Sequence, residues 1–195
     1  MIEHSEIRAI LPQGHPMVLV DRVVSLEPGA SIVGIKAISG SEPCYCEVTP
    51  GSEADRFAYP TSLLVESFGQ TAAVLWLKSL KSFNRDPKHL LMFVAARNVK
   101  IEGCAFPGDV LRHIARLDHV MEDNVFVSGE TWVGDRRIAS IGSMIAVVRP
   151  RSVVFGTFAL SNPEVPMHNT DIASPTNSIF APSIESPSTL NRKGD

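Results

Sequence analysis

The chain contains no run approaching the ~18 consecutive apolar residues that a membrane-spanning helix requires, so a membrane-spanning protein is not expected. It has no surplus of basic charge: 18 Lys and Arg stand against 21 Asp and Glu, a net charge of -3. Proteins that hold nucleic acid usually gather a basic patch to neutralise phosphates, so that class is set aside. Cysteine is scarce and odd in number. Cys44, Cys46 and Cys104 make one close pair and a singleton, whereas a structural zinc wants four ligands and the nearest His is remote in sequence. Reduced, structural thiols in a reducing compartment are expected. There is no phosphate-binding glycine loop, nucleotide fingerprint or metal-ligand cluster, so no cofactor and no metal are expected. No repeat occurs at a solenoid period. The opening MIEHSEIRAILPQ places acids early and has no basic stretch leading into an apolar run, unlike a secretory leader. A cytoplasmic location follows as the expectation.

What is present describes an ordinary globular chain, 44% hydrophobic and 20% charged. Its 195 residues suffice for one domain with a real core, and a second domain would be cramped. Ser5 to Ile10 fits a short helical turn stopped at Leu11-Pro12, because the residue before a proline disfavours the helical region. Pro16 opens a strand through MVLVDRVVSLEPG, which closes on the turn Glu27-Pro28-Gly29. A second strand follows over Ile32–Ile38. Thr61 to about Leu80 is the one long helical candidate, preceded by Pro60, with Thr61 or Ser62 as its cap. Further strands are predicted near Met92–Val99, Val110–Met121 and Val125–Val133, and Gly134-Asp135 supplies a two-residue hairpin turn into Arg136–Val148. One long helix among about six strands, without βα alternation, predicts an α+β fold built on an antiparallel sheet.

Beyond Arg149 the composition changes: Pro150, Pro163, Pro166, Pro175, Pro182 and Pro187 recur among Ser, Asn and Thr. The chain is therefore divided into a domain over 1–150 and a Pro/Ser-rich tail over 151–195. Residues 161–195 are expected to be mostly disordered, since they bury too little apolar surface to offset ordering entropy. Val153–Leu160 is apolar enough to dock.

Within residues 63–77 of the predicted helix, Glu66 is the single ionisable side chain. At 100° per residue, Glu66, Ser67, Gln70 and Thr71 share a strip ~140° wide. Two readings stay open from the residues alone. The strip is a solvated face, or the helix is buried and keeps one carboxylate for chemistry, because a buried unpaired charge is costly. Gln70, four residues on, lies within hydrogen-bond reach of Glu66.

Several segments together resemble the bacterial 3-hydroxyacyl-[acyl-carrier-protein] dehydratases of fatty-acid synthesis. ILPQGHPMVLVDRVVSLEPG is similar to their opening, and Ile35-Lys36 and Ser41-Glu42-Pro43 follow in the family's order. YPTSLLVESFGQ looks like the start of their central helix, with the family's Glu and Gln falling on Glu66 and Gln70. Ala96-Arg97-Asn98-Val99-Lys100 and Phe106-Pro107-Gly108-Asp109 match a strand and the turn after it. The resemblance spans about residues 5–148. It implies a hot-dog fold, a long helix wrapped by a curved antiparallel sheet of five to six strands, which dimerises by joining two sheets edge to edge. It also implies an active site at the dimer interface, where a His of one protomer faces the Glu of the other. A thioester carbonyl would lie at the helix start, near Thr61 and Ser62, where backbone N–H groups polarise it.

The departure falls on Val48, which occupies the position of the family's histidine and can neither take nor give a proton. The loop Ser52–Phe57 is lengthened by about two residues, and Thr61 stands where the family's helix begins with glycine. His15, His89, His113 and His119 read as surface or packing residues; His4 and His168 lie at a terminus and in the tail. Glu47, beside the altered position, is expected to point the other way if its segment is extended. The leading expectation is dehydration of a 3-hydroxyacyl thioester on the phosphopantetheine arm of an acyl carrier protein. Glu66 would act as general acid, in a heterodimer whose hot-dog partner supplies the His. The alternatives are a non-catalytic partner or acyl-binding subunit, and a hot-dog thioesterase. The altered mouth of the site points to an unusual acyl chain, such as a polyketide or polyene.

Overall fold

The computed structural model describes residues 1–83, 89–150 and 153. Six antiparallel strands form one sheet: β1 (Arg22–Glu27), β2 (Ser31–Ala37), β3 (His89–Ile101), β4 (Val110–Met121), β5 (Asn124–Val133) and β6 (Arg136–Pro150), in the order β1-β2-β4-β5-β6-β3. Helix α1 (His4–Ile10) is short, whereas α2 (Thr61–Ser79) runs 19 residues across the sheet. This is the α+β, hot-dog arrangement that the resemblance implied. Every strand pairing except β2–β4 contains a register irregularity. Each such irregularity bends its strand and increases the local twist, which lets a sheet curl around a helix.

The burial pattern explains why α2 sits inside. Strands β2, β4 and β5 alternate buried and partly exposed residues, so each turns one face inward. Phe68, Val74, Leu75 and Trp76 of α2 pack with Ile32, Val125, Val127 and Ile141 from that face. Fully burying a side chain of this size stabilises by about 1.5–3 kcal/mol, so this layer dominates the core. A second cluster, with Ile38, Tyr45, Tyr59, Leu64, Leu111 and Ile138, fills the end beneath the β2–α2 connection.

Several sequence expectations hold and several are corrected. The Gly134-Asp135 hairpin forms, with Gly134 at φ 56, and β6 extends beyond Val148 to Pro150. Strand β3 is longer than Met92–Val99 at both ends. Residues 17–21 are not strand, because Met17 O and Leu19 N are both engaged by the side chain of Gln70, and regular pairing starts only at Arg22. Neither Thr61 nor Ser62 caps α2: Pro60 is the N-cap residue, and no side chain bonds the helix start. The stretch leading to Glu47 and Val48 is not extended, because Pro43–Tyr45 coils into a 3₁₀ turn and Val48 N bonds Tyr45 O. The disorder expected for 161–195 and the docking of Val153–Leu160 fall outside the described residues, Val153 excepted. No helix among the described residues is long and apolar enough to cross a membrane.

The helix-to-sheet distance is set partly by Gly129. A methyl group there would land on the carbonyl oxygen of Ile114 and 2.8 Å from Phe68 Cε2. Gly129→Ala is expected to cost about 1–3 kcal/mol through overpacking. A lowered melting temperature, by roughly 4–8 °C for a loss of about 2 kcal/mol, checks this.

Candidate active site

The strip of polar residues on α2 is not solvated. Ser67, Gln70 and Thr71 are 0–1% exposed, and only Glu66 keeps partial access. The buried-helix reading is therefore the one the structure supports. Gln70 satisfies itself in full view of Glu66: Nε2 donates to Met17 O at 2.7 Å and to Glu66 Oε1 at 2.8 Å, while Oε1 accepts from Leu19 N at 2.8 Å. Gln13 Nε2 approaches the same Glu66 oxygen at 3.5 Å. No hydrogen bond from the described residues reaches Glu66 Oε2.

Thr61 and Ser62 stand exposed at the start of α2. With no side-chain cap, the backbone N–H groups of this first turn remain without a capping side-chain acceptor. Val48 is half-buried against the second core cluster, which also takes in Leu63 and Leu64 of the first helical turn. The structure thus gathers Glu66 with Gln70, and Val48 with the helix start. No hydrogen bond among the described residues joins the two groups. Glu47 beside Val48 is exposed.

The histidines divide as their positions imply. His15 is exposed, His4 bonds Val20 O at 3.2 Å, and His119 stacks on Phe126 with ring centroids 4.1 Å apart. His168 lies outside the described residues. His113 is fully buried, with Nε2 2.9 Å from Ser67 Oγ and Nδ1 2.9 Å from Thr131 Oγ1. Burial, assisted by the charge of Lys36, pushes its pKa down to about 3. None of these His side chains bonds to Glu66. Among the described residues no cluster of three or more His, Cys, Asp or Glu side chains is placed to hold a metal ion. The three cysteines are unpaired, and Cys46 and Cys104 are exposed rather than structural.

Sequence reasoning missed Gln13, the Ser67–His113–Thr131 group, and the nearly buried ion pair of Lys36 Nζ with Glu42 Oε1 at 2.6 Å. Glu42 Oε1 also accepts from Ser39 N, so this pair anchors the start of the loop that carries Val48. Strand parity held the signal for His113 and Thr131. Gly34 pairs with His113 and His113 with Thr131 across β2, β4 and β5, on the inward face.

A curved antiparallel sheet around one buried helix, with a carboxylate held in the helix, defines a hot-dog protein. A family model described as a FabA-like domain matches residues 11–142, and the chain belongs to that family. It is 32% identical over 151 residues to the 3-hydroxyacyl-[acyl-carrier-protein] dehydratase FabZ of Rickettsia bellii (strain RML369-C), covering 77% of this chain and 99% of that protein. The FabZ of Chloroflexus aggregans is 30% identical over 153 residues, covering 77% and 99%. Among solved structures, the dehydratase heterocomplex ApeI:P from Xenorhabdus doucetiae matches with TM-score 0.59 at 18% identity, over 80% of this chain and 97% of that one. A Thermus thermophilus thioesterase-superfamily protein matches with TM-score 0.52 at 16% identity, over 71% and 95%.

The lowered pKa of His113 gives stability a defined pH dependence. Its ordinary value is 6.5 and its folded value about 3. Below pH 6.5 the unfolded chain binds a proton that the folded chain refuses until about pH 3. The contribution is therefore complete above 6.5 and declines as pH falls through that window, by about 1.4 kcal/mol per unit. Urea unfolding at pH 6.5 and pH 5 should show a loss approaching 2 kcal/mol in the native protein, and His113→Leu should flatten most of that slope.

Proposed function

We propose that this chain catalyses the dehydration of a 3-hydroxyacyl thioester, carried on the phosphopantetheine arm of an acyl carrier protein, to the 2-enoyl thioester. It does so as the glutamate-donating subunit of a hot-dog heterodimer. The observation that carries the proposal is Glu66: a partly accessible residue on a largely buried helix, its Oε1 held by Gln70 and its Oε2 without a hydrogen bond from the described residues. Family relatives that act as 3-hydroxyacyl-[acyl-carrier-protein] dehydratases and align over 99% of their length support the reaction class.

In the reaction a base removes a proton from C2, the C2–C3 double bond forms, and the C3 hydroxyl leaves as water after taking a proton. Protonated Glu66 gives that proton, and Gln70 holds the carboxyl through Oε1. The N–H groups at Thr61 and Ser62 stabilise the negative charge that develops on the thioester carbonyl oxygen. The base comes from the partner, because Val48 occupies the position of the family's histidine. Strand β3 lies at one edge of the sheet, with Met92, Phe93, Val94, Val99 and Ile101 exposed along it. An edge of 13 residues that no other strand among the described residues pairs, and that carries these apolar side chains, is suited to pairing with the edge of another sheet. The Xenorhabdus fold neighbour is itself a dehydratase heterocomplex, which is in keeping with a heteromeric assembly.

Co-expression with hot-dog chains encoded nearby, followed by purification and a dehydration assay on 3-hydroxyacyl carrier protein, tests the proposal. The isolated chain should be inactive and the heterocomplex active. Glu66→Gln in the heterocomplex should lower the rate by about 10²-fold or more, the usual worth of a placed general acid. An unchanged rate would make this chain a stabilising or acyl-holding subunit instead.

A further inference from the structure

We infer that His113 is a positioning residue, which with Ser67 and Thr131 forms a directed hydrogen-bond chain that fixes the rotation of α2 and hence where Glu66 points. The inference rests on the dehydratase reading only for what Glu66 does, and not for how it is held.

The direction of the chain follows from counting protons. Ser67 Oγ donates its only proton to Leu64 O at 3.0 Å. It must therefore accept from His113, which places a proton on Nε2. A neutral imidazole then presents Nδ1 as an acceptor, and Thr131 Oγ1 is there to donate to it at 2.9 Å. The low pKa of His113 agrees with a ring that stays neutral. The chain runs from Thr131 on β5, through His113 on β4, to Ser67 and Leu64 on α2. All three side chains are 0% exposed, so no water competes for these bonds.

Close packing over Gly34 and Gly129 limits where α2 can sit, but apolar attraction itself is non-directional. Hydrogen bonds are directional and costly to leave unmade in the interior. On α2, Glu66, Gln70 and Ser67 stand at about 0°, 40° and 100° around the axis. Gln70 ties one side of the strip to residues 17 and 19, and Ser67 ties the other to the sheet. Next to Ser67, Thr71 bonds Ser67 O at 3.0 Å and packs onto Gly34, where a methyl group would come within 2.6 Å of its hydroxyl oxygen. Glu66 thus lies at the margin of a doubly tethered strip.

The test replaces the chain with apolar groups of similar shape, Ser67→Ala/His113→Leu/Thr131→Val, which removes the bonds without leaving orphaned partners. Nitrogen NMR of the native protein should show His113 protonated on Nε2 and bare on Nδ1; the opposite tautomer overturns the assignment. The triple variant should keep a melting temperature within a few degrees of native. Its Gln70 side-chain amide protons should exchange at least tenfold faster, and the kcat of its partner complex should fall about tenfold with KM changed less than twofold. Native exchange and native kcat in a stable triple variant would show the chain to be packing alone. If that variant does not fold, Thr131→Val, which removes only the first bond, should still quicken Gln70 exchange about threefold; no change would overturn the inference. Glu66→Gln in the same complex separates the two proposals. If it leaves dehydration intact the dehydratase reading falls, while Gln70 exchange still decides the role of His113.

Discussion

The side chain of Gln70 makes three hydrogen bonds in a site where it is 1% exposed: two to the backbone around residues 17 and 19, one to Glu66. A buried amide left unpaired costs about 1–3 kcal/mol per group, so the segment after Pro16 has little freedom to join the sheet early. That constraint delays regular β1 pairing to Arg22, draws residues 17–19 over the helix, and holds the carboxyl of Glu66 in one place. The remainder of the architecture is compatible with it. The sheet curls through its bulges, α2 buries Phe68 and Trp76 against it, and the polar strip becomes an internal seam rather than an outer face.

The seam also explains how a helix with almost no solvated surface carries one acid without a buried cation beside it. Oε1 of Glu66 is served by the neutral amide donors of Gln70 and Gln13 rather than by a cation. The nearly buried Lys36 is committed elsewhere, to Glu42 and to Ala37 O, and it serves to anchor the following loop. Charge is thus kept at the loop and neutral hydrogen bonding at the helix.

Much of the fold was legible in the sequence. β-Branched runs, Gly134-Asp135 and the long stretch after Pro60 gave the six strands, a hairpin and the helix, because these signals are local. Local propensity also misled. MVLVD reads as strand, but its backbone is claimed by a side chain 51 to 53 residues away, and no local pattern reports that. Thr61 and Ser62 are good capping residues by type, yet both already lie inside the helix, whose cap position falls on Pro60. Glu66 and Gln70 were found as a pair because i and i+4 positions meet on any helix. His113 reads from the sequence as a surface or packing residue, and its full burial decides for packing. Its partners Ser67 and Thr131, 46 residues before it and 18 after it, were not connected to it.

The sequence by itself determined the elements, their order, and the presence of one carboxylate and one glutamine on the same side of a helix. These depend on interactions over a few residues, which spacing and residue type encode directly. Whether that side faced water or the interior was undecided, since Glu66, Ser67, Gln70 and Thr71 suit either environment. Only the tertiary structure resolved it, by bringing Met17, Leu19 and His113 to the helix from two separate parts of the chain, with Thr131 behind His113. A polar side chain is satisfied equally well by solvent or by a partner, and which one it meets is settled when the sheet closes around the helix.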